Sequence, residues 1–436
     1  MKSILYSFFK IRENKSTIST EILAGTTTFV TMAYIVIVNP AILIAAGMPF
    51  EASMAATILA AFFGTIAVGI YANRPFAMAP YMGENAFMAY TVVGLLGYSW
   101  QTALGAVFIS GVIFTLLTLS GYRKVFAESI PYNLKASFAV GIGLFITFIG
   151  LVNSGVIVSG MPGTLVKMGN ISTPSVLLTI VGFILICVLL IKKVKGSLLL
   201  GIILTSLIGF ILGIVPYPKT VIGGIPDISP VFLQLDIFGA LTWGFFAVIL
   251  TMFTMDFLDT IGTLIGLSVK ANLLDKNGNL PEIEKPMLAD AVATLVGALL
   301  GTTTTGHYIE AASGIEEGGR TGLTAIVTAC LFLLCLPFAP LFSSIPAQAT
   351  GAALIIVGML MMSPIKDINF NDYTEIIPAF GVITLMIFTY NIGIGLCSGF
   401  ILYPLVKVIS GKHKEIKAPA WILFVLCLMF FIFYPY

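Results

Sequence analysis

Two carboxylates three residues apart, Asp256 and Asp259, lie in the stretch FTMDFLDTIGTLIG, which continues the apolar run LTWGFFAVILTM. Spaced by three, they share one helical face. A charged aspartate at the centre of a membrane-spanning helix costs about 2.5–3.5 kcal/mol on insertion scales. Such residues face a protein interior or an aqueous cavity and mark ion or substrate paths. Two more polar groups sit in similar surroundings: Asn85 in NRPFAMAPYMGENAFMAY and Glu310 in GTTTTGHYIEAASGIEEGGRTG. Carboxylates accept hydrogen bonds from N–H groups, and an amide can donate as well as accept. Burial disfavours the charged form of an acid, which suits proton exchange near neutral pH. The set therefore fits binding of a small polar ligand together with a proton. It does not fit covalent chemistry: HExxH, GxSxG and a Walker lysine-hydroxyl ending are all absent, so no catalytic residues are assigned. The five cysteines fall within apolar runs without CxxC spacing, so neither a metal nor a disulfide is expected, and no cofactor is implied.

These residues need elements that cross a bilayer. The 436-residue chain is 58% hydrophobic and 10% charged, with a mean hydropathy of +1.04. A soluble domain of this size needs more charge to cover its surface. The amino-terminal apolar stretch is too short and wrongly flanked for a cleaved signal peptide. Hydropathy and helix breakers place spans near 20–44, 53–72, 77–92, 101–121, 133–153, 174–192 and 197–216. A second set lies near 239–266, 286–300, 302–316, 321–340, 345–363, 374–390 and 391–410, and the tail 411–436 ends in an apolar, peripheral helix. With a cytoplasmic amino terminus, only Lys167 and Lys219 of the 22 Lys and Arg residues fall outside the cytoplasmic face, as the positive-inside rule requires.

The two sets of seven resemble each other. FVTMAYIVIV at 29–38 can be laid on MFTMDFLDTI at 252–261, and SIPYNLKASF at 129–138 on SIPAQATGAA at 344–353. Because seven is odd, the second copy enters from the opposite side. Inverted repeats are a signature of secondary transporters, whose site lies at mid-depth between short, Gly/Pro-interrupted spans. Spans 3 and 10 are that pair. Pro80 and Gly83 break one ladder, and the run Thr302–Thr305 with Gly306 favours extended chain in the other. Each is expected to start extended and then become a short helix whose N–H groups can hold a ligand. Asp290 opens the ninth span, either as a helix-start residue or as a proton relay. His307, one turn before Glu310, either contacts ligand or fills space. Aromatic candidates for stacking are Phe29, Tyr34, Phe87 and Tyr308.

The motifs AGTTTFVTMAYIVIVNP, PYMGENAF, DFLDTIGTL, LADAVAT and TTTTGHYIEAASGIEEGGRTG resemble those of the azaguanine-type purine permeases, a branch of the nucleobase–cation symporter-2 / nucleobase–ascorbate transporter superfamily. His307-Tyr308 departs from the Ser-Tyr type of pair expected there. The resemblance implies an all-α polytopic membrane protein with fourteen segments in two inverted repeats, residues 1–216 and 239–410, joined by a linker at 217–238. Segments 1–4 and 8–11 would form a core domain, and 5–7 and 12–14 a gate domain. It implies proton-driven uptake of purine bases (guanine/hypoxanthine or adenine) across the cell membrane, with no nucleic-acid partner and room for a homodimer. Carried over by position, Asn85, Asp256, Asp259, Glu310 and Gly83 would bind the base. Ala86, Phe87, Tyr34, Tyr308 and His307 would line it, and Asp259, Glu310 and Asp290 would be candidates for proton coupling.

Two rival readings share this architecture. One is a uracil or xanthine carrier, and the other is an anion exchanger or channel, which should hold a basic or neutral site rather than a cluster of acids. Competition against labelled hypoxanthine uptake separates them: adenine or guanine should compete, and uracil, xanthine and sulfate should not.

Overall fold

An apolar backbone in a bilayer must satisfy its own N–H and C=O groups, so the long apolar runs close into helices. The computed structural model describes residues 2–121, 130–160, 165–242, 245–274 and 280–434. Arg123, Lys124 and Lys276, counted above on the cytoplasmic side, lie outside them. Among the described residues, nine helical stretches are long and apolar enough to cross a membrane, and three shorter apolar helices accompany them. In chain order the helices are α1 (Ile18–Met32), α2 (Ile35–Leu43), α3 (Phe50–Ala67), the short α4 (Met82–Ala86), α5 (Trp100–Leu119), α6 (Tyr132–Asn153), α7 (Pro174–Ile191) and α8 (Ser197–Ile211). They continue with α9 (Phe246–Lys270), α10 (Glu284–Leu300), α11 (Gly322–Leu333), α12 (Ala347–Met361), α13 (Tyr373–Phe388), α14 (Ile392–Ile409) and α15 (Ala418–Phe433). The strands are β1 (Met78–Pro80), β2 (Ile157–Ser159), β3 (Val166–Met168) and β4 (Thr305–His307), with β2 and β3 forming a separate antiparallel pair.

The helices pack in two sets. In one, α1 lies on α11, α3 on α2, α10 and α11, and α5 on α9 and α10. In the other, α6 lies on α12 and α13, α13 on α14, and α7 on α8 and α12. The broken stretches belong to the first set: β1 pairs antiparallel with β4 in the register Met78↔His307, Ala79↔Gly306, Pro80↔Thr305. After β1 the chain turns into α4. After β4 it passes through a single 3-10 turn, Ile309–Ala311, into the helical turn Ala312–Glu316.

Several sequence boundaries move. The span near 239–266 is a separate turn at Ile237–Ala240 followed by α9, which runs on to Lys270. The span near 321–340 breaks after Leu333 into shorter turns at Leu336–Phe338 and Ala339–Ser343, because Pro337 and Pro340 interrupt the ladder. The linker 217–238 is pinned to the bundle: Gly223 N donates to Pro337 O (2.8 Å), Leu233 N to Leu299 O (2.8 Å) and Asp236 N to Gln101 O (2.9 Å). The tail helix α15 packs on α14 and α9, burying Leu423, Cys427 and Phe430 along one face. Its 16 residues span roughly 24 Å at about 1.5 Å per residue, short of a full hydrocarbon core of about 30 Å.

Charged residues that the sequence places on one side meet at one end of the first set. Lys270 pairs with Glu316 and Lys195 with Glu317. Arg74 donates to Pro281 O (2.8 Å), and Asn73 accepts from Gly322 N (2.8 Å). Fully buried Glu21 on α1 accepts from Arg320 N (3.1 Å), Thr321 N (3.2 Å) and Thr324 Oγ1 (2.6 Å), so its carboxylate neutralises the exposed N–H groups at the start of α11. At the corresponding end of the second set, Lys407 reaches Glu375 (2.7 Å) and Glu415 (2.6 Å), while Lys412 reaches Asp372 (2.7 Å). The hydrogen bond from Lys412, helped by Thr374, holds the Asp372 carboxyl well below the usual aspartate range.

The second set is held by close helix crossings. Gly143 and Gly150 of α6 face Gly358 and Gly351 of α12, backbone against backbone. Small residues permit this approach where lipid gives no hydrophobic drive. A Cβ at Gly358 would overlap Gly143 O and Thr147 Oγ1. Gly358→Val is expected to cost about 1–3 kcal/mol, measured as a lower Tm of the purified protein in detergent. An unchanged Tm would mean that the crossing tolerates the added bulk.

Candidate functional site

The two-stranded ladder solves a backbone problem before it does any chemistry. Each strand has one edge paired with the other strand and one edge left over. On β1 the free edge is met by Thr65 of α3, whose hydroxyl accepts from Met78 N (2.9 Å) and donates to Met78 O (3.0 Å). On β4 it is met by Thr294 of α10, which accepts from Thr305 N (3.2 Å) and lies 3.3 Å from Thr305 O. The same Thr294 hydroxyl is 3.2 Å from Asp256 Oδ2, which ties the ladder to α9. One threonine hydroxyl per strand thus satisfies non-helical backbone at depth.

The ladder sets where the acids stand. Asp256 is buried on the α9 face turned to α10 and β4, while Asp259, one turn on, is half-buried. Asp290 is fully buried in the second turn of α10, which excludes an interfacial helix-start role. Its Oδ1 accepts from Thr260 Oγ1 (2.9 Å), and its Oδ2 lies 2.8 Å from His307 Nδ1. The His307 ring meets Phe76 edge-on, at 5.8 Å between centroids, and among the described residues its Nε2 has no hydrogen-bond partner. His307 is therefore built into the scaffold beside Asp290, on the strand rather than on the turn that carries Glu310.

Glu310 stands on the 3-10 turn after β4, where Tyr34 Oη donates to its Oε1 (2.7 Å). Tyr308 lies between the two groups of acids, with Glu310, Glu84 and Asp259 all acting on it electrostatically. Its hydroxyl donates to Pro80 O (2.5 Å), and its ring runs nearly parallel to that of Tyr81, with centroids 5.9 Å apart and 11° between planes. The two rings stack on each other as an aromatic wall across the ladder.

Asn85 is fully buried behind that wall. Its Nδ2 donates to Tyr81 O (2.8 Å), and its Oδ1 accepts from Thr303 Oγ1 (2.6 Å), so the amide holds α4 to the threonine run. Gly83 permits a close approach, but the neighbour is Ile142 of α6, across the boundary between the two helix sets. Ala86 and Phe87 are buried in the core, and Phe29 packs edge-on against Phe332 of α11 at 5.3 Å. Thus Glu310 and Tyr308 come together with Tyr34, while Asp259 stands with Asp290, which His307 and Thr260 hold, and with Asp256 on the same helix face. Asn85 and Gly83 anchor the frame.

Sequence reasoning passed over Glu84, Tyr81, Thr260, Thr294 and Thr303. The threonines gave only a propensity signal, and their role depends on which backbone edge folds against them. Glu84 was visible as a third-span acid beside Asn85, a position as improbable in oil as those of the two aspartates. Among the described residues, no three His, Cys, Asp or Glu side chains are placed to hold one metal ion.

Residues 19–433 match the permease family Xan_ur_permease. A protein of Methanocaldococcus jannaschii named as a permease is 50% identical, covering 98% of both chains. The adenine permease AdeQ of Escherichia coli is 43% identical over 95% of this chain and 93% of its own. The guanine/hypoxanthine permease PbuG of Bacillus subtilis is 42% identical over 98% and 99%. Among solved structures, the transmembrane domain of the cyanobacterial bicarbonate transporter BicA superposes with a TM-score of 0.66 at 15% identity, over 87% of this chain and 97% of that one. Murine Slc26a9, an anion transporter in an inward-facing state, gives 0.67 at 12%, over 94% and 72%. At those identities the likeness is one of fold alone.

Thr294→Val keeps the side-chain shape but removes the hydroxyl that serves Thr305 and Asp256. Each buried polar group left without a partner costs about 1–3 kcal/mol. The variant should lose Tm and transport together, and Thr294→Ser should restore both. Equal behaviour of the Val and Ser variants would remove the hydroxyl from the account.

Proposed function

Because this chain belongs to the Xan_ur_permease family of permeases, and is accordingly a transporter rather than an enzyme, we propose that it imports purine nucleobases by proton symport. The observation that carries the reading is the stacked wall of Tyr81 and Tyr308, with Asp259 and Glu310 acting electrostatically on Tyr308. A purine base is a flat, uncharged ring with N–H donors on its edge. The wall offers a face to stack on, and the carboxylates accept the edge N–H groups. The adenine and guanine/hypoxanthine permeases among the relatives support a purine over a pyrimidine.

Fourteen segments in two inverted repeats, with the amino terminus on the cytoplasmic side of the cell membrane, complete the proposal. The matched use of Thr65 and Thr294 on the outer edges of β1 and β4 supports the repeat. Movement would occur between the ladder-bearing set (the core, segments 1–4 and 8–11) and the set around α6 and α12 (the gate, segments 5–7 and 12–14). Gly83 against Ile142 lies on that boundary. The fold likeness to bicarbonate and anion transporters favours a second reading, anion exchange. The chemistry opposes it: the principal electrostatic neighbours of Glu84, Asp259 and Glu310 include acids and tyrosines and no lysine or arginine.

Uptake of labelled adenine, guanine and hypoxanthine in cells lacking their own carriers is the direct test. Accumulation of at least one base, abolished by a protonophore, is expected. Glu310→Gln should insert normally and lose uptake. Uptake equal to wild type in that variant would remove Glu310 from the site.

A further inference from the structure

Among the fully buried acids of the described residues, one stands apart in its partners. Asp256 takes the Thr294 hydroxyl, Asp290 takes Thr260 and His307, and Glu21 takes the start of α11, while half-buried Glu310 takes Tyr34. Glu84 on α4 has 0% exposure, and among the described residues neither of its carboxyl oxygens has a hydrogen-bond partner. The described residues around it supply no countercharge. From α9 it faces Asp259 and Asp256, and from α10, Asp290. From the segment after β4 it faces Tyr308. The α2 segment packed against α4 carries no titratable residue, and α6 presents Ile142 beside Gly83, with Lys135 back near that helix's own start. The segment continuing α4, Phe87–Leu95, carries Tyr90, whose hydroxyl accepts from Asn153. An ionised carboxylate held this way, with no side-chain donor and no cation among the described residues, carries a penalty of several kcal/mol.

We propose that Glu84 is the side chain that carries the transported proton and, while holding it, donates a hydrogen bond to an acceptor atom of the bound base. The assignment rests on the purine reading above and gives it a mechanism. A purine presents ring nitrogens or a carbonyl oxygen as well as N–H groups, so its site needs a donor among all these acceptors. Asp256, Asp259 and Glu310 accept when ionised, and the Asn85 amide is engaged by Tyr81 and Thr303. Protonated Glu84 provides an O–H. Once the proton leaves, the same oxygen confronts the base's lone pair, and the base is released. Base and proton therefore raise each other's affinity, as linkage demands. No covalent bond forms or breaks: the proton enters from water on one side and returns to water on the other.

The experiment uses the full chain, purified and reconstituted, with hypoxanthine and adenine as probes. Calorimetry of the wild type in two buffers of different ionisation enthalpy should show a proton taken up with the base. Affinity should fall about tenfold per pH unit once the free acid is ionised. Glu84→Gln keeps a donor but cannot titrate. It should bind with an affinity independent of pH, take up no proton, and equilibrate the base across the membrane without protonophore-sensitive accumulation. Wild-type accumulation and pH profile in the Gln variant would overturn the assignment. So would wild-type binding without proton uptake, a measurement that does not depend on how the variant folds. If the wild type binds neither probe, the purine reading itself fails and this assignment falls with it, a result distinct from either of those two.

Discussion

The constraint on which the rest depends is the need to satisfy bare backbone in the middle of a bilayer-spanning bundle. Two segments abandon the helix inside the buried bundle, and each unsatisfied amide or carbonyl there would cost several kcal/mol. Pairing β1 with β4 cancels one edge of each strand, and Thr65 and Thr294 cancel the other. Extended chain at this depth is stable only as this four-part arrangement. Any change in it moves α4, the Glu310 turn and the α9 acids together, because Thr294 touches both the strand and Asp256.

That coupling explains how a site can be polar and still be positioned well. The helix starts after the strands have their direction set by the ladder, and Tyr308 is tied back to Pro80 across it. The acids are divided between three helices and the post-strand turn, so their mutual repulsion is borne by the scaffold rather than by any one element. Asp290 is relieved by Thr260 and His307, and Glu310 by Tyr34. Among the described residues, the set around α6 and α12 shows no comparable cluster of buried acids. It is held by glycine crossings and by the Lys407, Glu375 and Glu415 ion pairs at one end.

Much of this was legible in the residues because the bilayer makes some signals expensive. Long apolar runs, basic loops and acids in oil each carry a large free-energy penalty if misplaced, so their meaning survives without tertiary information. The membrane class, the long apolar helices and the breaks around Pro80–Gly83 and the threonine run before Gly306 follow from that. The turn before α9, the break after Leu333 and the anchoring of 217–238 did not. Those depend on local proline chemistry and on single backbone hydrogen bonds, each worth only about 0.5–1.5 kcal/mol net.

The partners of each polar group were decided only by the tertiary structure. Sequence spacing can say that Asn85, His307 and the four threonines lie at depth. It cannot say that Asn85 turns to Thr303, that His307 leans on Asp290, or that Glu84 is left without a donor. The reason is physical: membrane depth is fixed by transfer free energies that act on each residue separately. Hydrogen-bond partnership depends on ångström-scale distances between separate segments, 17 residues apart for His307 and Asp290 and 218 for Thr303 and Asn85. Hydropathy thus determined what this chain had to bury, and the β1–β4 ladder decided which groups each buried one would meet.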